Sequence, residues 1–149
     1  MALRLSTGAR DALANNMGLK SIFNGGFLDI YTGGQPASPD YAETGSRLVR
    51  ISGTSGTGGV TFGTAGGGAL PKSNDIWSGL ISVAGVAGYF RLYGTAGTTG
   101  CSSGTSGTAQ RIDGNVGVSG SDLVLANTSL TLNATITIDG FTLGVPVSS

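Results

Sequence analysis

The stretch Asn24-Gly25-Gly26-Phe27-Leu28-Asp29-Ile30-Tyr31-Thr32 decides the fold. Before it, Ala9, Leu13 and Met17 recur every four residues with Ala12 alongside, which is the apolar stripe of a short amphipathic helix. From Leu28 onward the apolar positions recur every two residues, the period of a strand with one buried face. No helical period returns after this point.

Working outward, the same alternation marks further strands. Leu48–Ile51, Val60–Phe62, Asn74–Val83, Ala87–Tyr93, Gln110–Asp113, Leu123–Leu125 and Thr131–Leu143 follow, separated by turns rich in Gly, Ser and Thr. In the last of these, Ile136 and Ile138 slip by one step against Phe141 and Leu143, so a β-bulge is expected at Asp139-Gly140. About eight short strands with no helices between them predict an all-β, antiparallel β-sandwich of jelly-roll type, with one N-terminal helix. Trp77, Phe62, Tyr89, Phe90, Ile138 and Phe141 are the expected core. Arg91 alternates with Phe90 and Leu92, which places it on the opposite face, toward solvent or a partner subunit.

The helix is expected over about residues 8–17, capped by Ser6 or Thr7 and stopped at Gly18. A helix of that length is marginal alone and has to dock on something. Two organisations are open: the stripe covers its own sheet, or residues 1–24 form an arm that anchors on another surface while residues 25–149 form the sandwich. The anchoring reading rests on Gly25-Gly26 as a flexible link. It makes Leu5, Ala9, Leu13, Met17 and Phe23 candidate contact residues, with Leu3 and Ile22 flanking them.

Composition narrows the function. Eight Lys+Arg balance eight Asp+Glu, so no basic footprint exists for nucleic acid or an anionic membrane surface. The longest uncharged apolar-leaning run, residues 76–90, is too short and too glycine-rich to span a bilayer, and the N-terminus has no apolar core of signal-peptide length. There is no His, which removes the commonest general base and metal ligand, and the single Cys101 has no imidazole to activate it. The glycines do not spell a phosphate loop: Lys72-Ser73 follows Pro71, and the Gly-x-Gly runs at Gly56 and Gly66 lack the third glycine. The aspartates sit mostly at strand ends and turns, where their carboxylates bond nearby N–H groups. Asp113, Asn115 and Asp122 lack the ordered spacing of a calcium loop. No cofactor, metal or catalytic residue is expected. Three similar runs at Gly53, Gly94 and Gly104 have irregular spacing and read as loops rather than a solenoid.

Four segments together resemble a known family. Leu28–Ala37 followed by Ala42–Val49 is similar to an Ile-Tyr-x-Gly-x-Gln-Pro-Ala turn and an Ala-x-x-Thr-Gly-x-Leu-Leu strand of small virion proteins from tailed bacteriophages. Gly85–Tyr93 resembles that family's Gly-Thr-Ala-Gly-Trp/Tyr-Phe-Arg-x-Tyr strand, and Asp113–Leu123 its Asp-Gly-x-Val-Gly-x-Ser-Gly-Ala-Asp-Leu turn. The resemblance spans most of residues 8–146. It departs at Gly94–Thr108, where relatives carry a tighter hairpin. It implies a virion structural protein without enzymatic activity, first of all a capsid decoration, or cement, protein on the head surface. The partners it implies are the major capsid protein and further copies of the chain, as a homotrimer before a dimer. The alternative is a tail, baseplate or fibre component that contacts host glycans through Trp77 or loop tyrosines. Exposed edges in the Thr-rich segment Thr131–Leu143 independently favour a homo-oligomer.

Overall fold

The computed structural model describes residues 3–53, 58–94 and 104–144. Cys101, most of the Gly94–Thr108 loop and Val145-Pro146 lie outside them. The elements run β1 (Arg4–Leu5), α1 (Thr7–Ala14), α2 (Leu19–Phe23), β2 (Phe27–Thr32), β3 (Arg47–Ile51), β4 (Ala69–Pro71), β5 (Trp77–Leu80), β6 (Gly85–Tyr93), β7 (Arg111–Gly117), β8 (Leu123–Val124), β9 (Ser129–Leu130), β10 (Thr135–Ile138) and β11 (Thr142–Gly144).

The main sheet has the order β1-β7-β6-β2-β3, with β8 beside β7 and β9 beside β6. All its pairings are antiparallel except β7 with β8. Two small sheets, β10-β5 and β11-β4, pack against it. The fold is therefore all-β and sandwich-like, as the alternation predicts. These pairings do not divide eight strands equally between two sheets, so the jelly-roll order is not what they give.

Register gives the main sheet two unlike faces. Ile51, Leu28, Leu92, Ile112 and Leu5 form one cross-strand row, and Val49, Ile30, Phe90 and Gly114 the next. These rows face the core, where Phe62, Trp77, Phe90 and Phe141 make edge-on and tilted ring contacts at 5.2–6.4 Å. Gly114 belongs there because the Phe90 ring lies over it: a Cβ at Gly114 would come within 2.6 Å of that ring. Trp77, Tyr89, Phe90 and Ile138 are buried as expected.

Several element boundaries depart from the pattern. Helix α1 starts at the Ser6 cap, whose Oγ accepts from the Ala9 N–H at 3.1 Å. It stops before Gly18, because Asn16 takes a left-handed φ of 76°. Helix α2 has no counterpart in the predicted elements. Val60 and Phe62 are buried, but the segment forms no named strand and makes only an isolated bridge, Phe62 to Lys72, while β4 takes the neighbouring place. The expected long strand Thr131–Leu143 is broken into two, β10 and β11. At Asp139-Gly140 the chain leaves the β5 sheet for the β4 sheet, so the one-step slip marks a change of partner rather than a bulge.

The anchoring-arm expectation is corrected here. Arg4 and Leu5 pair with Asp113 and Ile112, and the Ser6 N–H donates to the Arg111 carbonyl at 2.9 Å. Ala9, Ile22 and Phe23 are fully buried in the common core. Gly25-Gly26 is no free hinge, since the Gly25 N–H donates to Val60 O and the Val60 N–H to Gly26 O. Residues 3–24 are part of the fold; of the stripe, Ala9 and Ala12 face the core while Leu13 and Met17 stay exposed.

Phe90→Ala is expected to cost about 3–5 kcal/mol, because it empties the space between Gly114 and Phe141. Chemical denaturation of the two proteins checks this, and an unchanged midpoint would contradict the packing.

Candidate contact surface

The second face of the main sheet is charged. Register aligns Arg50 (β3), Asp29 (β2), Arg91 (β6), Asp113 (β7) and Arg4 (β1) in one row across five strands. The signs alternate along it. Arg91 donates from Nε and Nη2 to the two Asp113 carboxylate oxygens at 2.6 and 2.8 Å, with both side chains fully buried. Arg50 grips Asp29 in the same two-bond way at 2.7 and 2.8 Å. Such paired forks fix position as well as charge. The expectation that Arg91 faces solvent or a partner is wrong: it does lie opposite Phe90 and Leu92, but that face is covered. Asp29 and Asp113 sit on the same covered face and are fully buried.

The cover is the segment Gly33–Ser46, and arginines hold it by its backbone. Arg4 donates to the Pro36 and Ala37 carbonyls at 2.9 and 3.0 Å, Arg111 to Pro39 at 3.0 Å, and Arg91 to Tyr41 at 3.0 Å. Asp40 accepts from the Thr7 N–H and hydroxyl at 2.8 and 2.6 Å, tying the segment to the start of α1. The Tyr89 hydroxyl exchanges bonds with Thr44, accepting from its N–H and donating to its carbonyl. Glu43 accepts from the Tyr93 hydroxyl at 2.8 Å and the Gly104 N–H at 3.0 Å.

Burial pushes the Tyr31, Tyr89 and Tyr93 hydroxyls upward, so they stay protonated and act only through hydrogen bonds. Burial also pushes the Asp113 carboxyl up, against the opposing pull of Arg91. For Glu43, burial works upward too, but the bonds from Gly104 and Tyr93 and the Arg91 charge leave it below its ordinary value. Asn115 and Asp122 each accept the other's N–H, closing the 115–122 turn. Among the described residues no three acids or other ligand types come together as a metal site.

The open surface is different in kind. Leu3, Leu5, Leu13, Leu19, Ile112, Leu143 and Gly144 line an apolar groove of about 210 Å³ beside α1. Of the candidate contact residues, Leu5 and Leu13 line this groove, and Met17 lies just beyond α1. Leu13 is 37% exposed and Met17 39%. Ala9 and Phe23 are buried inward and cannot reach a partner. Trp77 is fully buried as well, so it offers no stacking face to a glycan.

Sequence reasoning missed the ladder. The signal was present in part: Asp29, Arg91 and Asp113 each stand between apolar neighbours in a strand, where a solvent-facing residue and a buried one share the same alternation. No family model, no curated protein and no solved structure matches the chain.

Asp113→Asn leaves the Arg91 charge buried beside a neutral amide and is expected to lower stability by about 3–5 kcal/mol in a denaturant titration. A loss under half a kcal/mol would show that the pair is not what holds the strands in place. Glu43 gives a pH test. Its pKa in the fold lies below that of the free side chain, so its contribution is present above about pH 4.5 and fades as the pH falls through the folded-state value. The melting-temperature gap between wild type and Glu43→Gln should therefore narrow between pH 6 and 3, not widen.

Proposed function

We propose that this chain is a structural protein of a tailed-bacteriophage virion, and within that class a capsid decoration protein. It seats on the outer lattice of the major capsid protein and works as a homo-oligomer, a trimer before a dimer. The observation that carries the reading is the apolar groove beside α1, lined by seven residues without a titratable side chain. A decoration protein needs such a contact surface on a rigid body and needs no catalytic group.

The resemblance motifs support the reading from another side. Leu28–Ala37, Ala42–Val49, Gly85–Tyr93 and Asp113–Leu123 are far apart in sequence. In the fold the first three meet Asp113 around one feature: Arg91 pairs with Asp113 and holds the Gly33–Ser46 segment, while Tyr89 and Tyr93 grip Thr44 and Glu43. Residues that act as one unit explain why these motifs occur together.

Each exposed apolar side chain buried on the shell contributes roughly 1.5–3 kcal/mol before ordering costs. Single contacts of that size are modest, and repeated copies on a lattice make them firm. Leu13→Asp with Met17→Asp should leave the melting temperature within a few degrees, because both side chains are already partly in water. The same variant should fail to co-sediment with shells stripped of this protein. Equal sedimentation of variant and wild type would remove the groove from the contact. A gel of intact particles tests the class: tail-like copy numbers, far below the major capsid band, favour the tail, baseplate or fibre alternative.

A further inference from the structure

The strand β10 has one unused edge. On the other side of its partner β5, the Ser78 N–H and carbonyl bond Ser52, the residue after β3, at 2.9 and 3.0 Å. Ser78 therefore turns away from β10, and its pair with Thr137 is one without ladder bonds. Ile81 bonds back to Asn133 and Ala134 at 2.9 Å, which fixes the same alternation. It follows that Ile136 and Ile138 bond β5, while the N–H and carbonyl groups of Thr135 and Thr137 point outward. Among the described residues nothing bonds these four groups.

That edge borders a cleft of about 300 Å³. Its far wall is the segment 124–131, and the turn 131–134 joins the two walls at one end. Ile81, Leu125, Leu130, Ala134 and Ile136 give it an apolar lining. Asp139 stands at the end away from the turn and is the one charged residue of the lining. Native edges are usually guarded by Lys, Pro or a bulge, and Thr135-Ile136-Thr137-Ile138 carries none of these.

We infer that this cleft is a peptide slot, which takes one extended strand of another polypeptide by β-addition along Thr135 and Thr137. The chemistry specifies the occupant. Two donors and two acceptors spaced two residues apart match a β-strand backbone. The single carboxylate calls for an uncharged strand with one basic residue at the Asp139 end. An antiparallel occupant presents its first residue there. The source is a different protein. The cleft is walled on its far side by residues 124–131, so it admits a single strand, whereas β10 of a second copy would bring its partner β5 with it. The inference stands on the cleft and is independent of the virion reading.

The probe is a fluorescein-labelled, end-capped hexapeptide, Lys-Thr-Val-Thr-Val-Thr, titrated with the full chain and read by polarisation. Saturable binding is expected with a half-point below about 1 mM. Two further peptides carry N-methyl groups on alternate residues, in either phase. One phase should lose at least about tenfold in affinity and the other should keep it, since only one set of amides faces β10. Thr137→Pro should cost a similar factor, as its N–H serves no bond in the fold. Asp139→Asn should weaken binding several-fold. If Thr137→Pro does not fold, the methylated peptides on the wild-type chain decide. No saturation, or equal binding of both methylated phases, overturns the slot. Sedimentation of the protein alone as a dimer that Thr137→Pro dissolves would make a second copy the occupant and overturn the assigned source.

Discussion

A guanidinium in the interior of a small protein has to be paired, and Arg91 sets the terms for everything around it. Its charge cannot be shed, and removing it from water costs several kcal/mol unless a carboxylate and further acceptors surround it. Asp113 supplies the carboxylate from the next strand, and Tyr41 supplies a carbonyl from above. Asp113 in turn lies opposite Arg4, and Arg91 opposite Asp29, which is held by Arg50. A one-residue slip of any strand would put a charge on the aromatic core and a leucine among arginines. The ladder therefore selects the register of five strands, whatever its net worth to stability.

The same charges explain why the first residues belong to the fold. Arg4 reaches the Pro36 and Ala37 carbonyls, and Asp40 reaches back to Thr7. Ser6 accepts from the Ala9 and Arg111 N–H groups and donates to the Ala109 carbonyl, all while fully buried. The N-terminus, the Gly33–Ser46 cover and β7 are thus one unit joined by polar bonds. The aromatic core lies on the other face of the sheet.

Function, on this architecture, lies at the surfaces the bonds leave open. The middle of the charged face, at Asp29, Arg91 and Asp113, is sealed, and its tyrosines are kept protonated by burial. Two of the open surfaces are apolar or backbone-like: the groove beside α1, and the unpaired edge of β10. Both suit contact with other protein chains. The rigidity of the ladder matters to both, since a binding surface costs less to order when its scaffold is already fixed.

The change of period at Asn24–Thr32 was enough to establish an all-β fold with an N-terminal helix. Alternation alone picked out Trp77, Phe90 and Ile138 as core, because a buried row on a pleated sheet repeats every two residues. The apolar stripe at Leu13 and Met17 was legible too, though whether it faced in or out was not. Alternation separates two faces of a strand but cannot say whether a second layer covers the polar one. That is why Arg91 read as exposed. Nor could it show that the two residues Arg4 and Leu5 form a strand, that Phe23 turns inward, or that Thr131–Leu143 divides between two partners. Those outcomes depend on contacts across many tens of residues, such as Ser6 with Arg111 and Arg91 with Tyr41. Only the folded chain brings those groups within hydrogen-bonding distance.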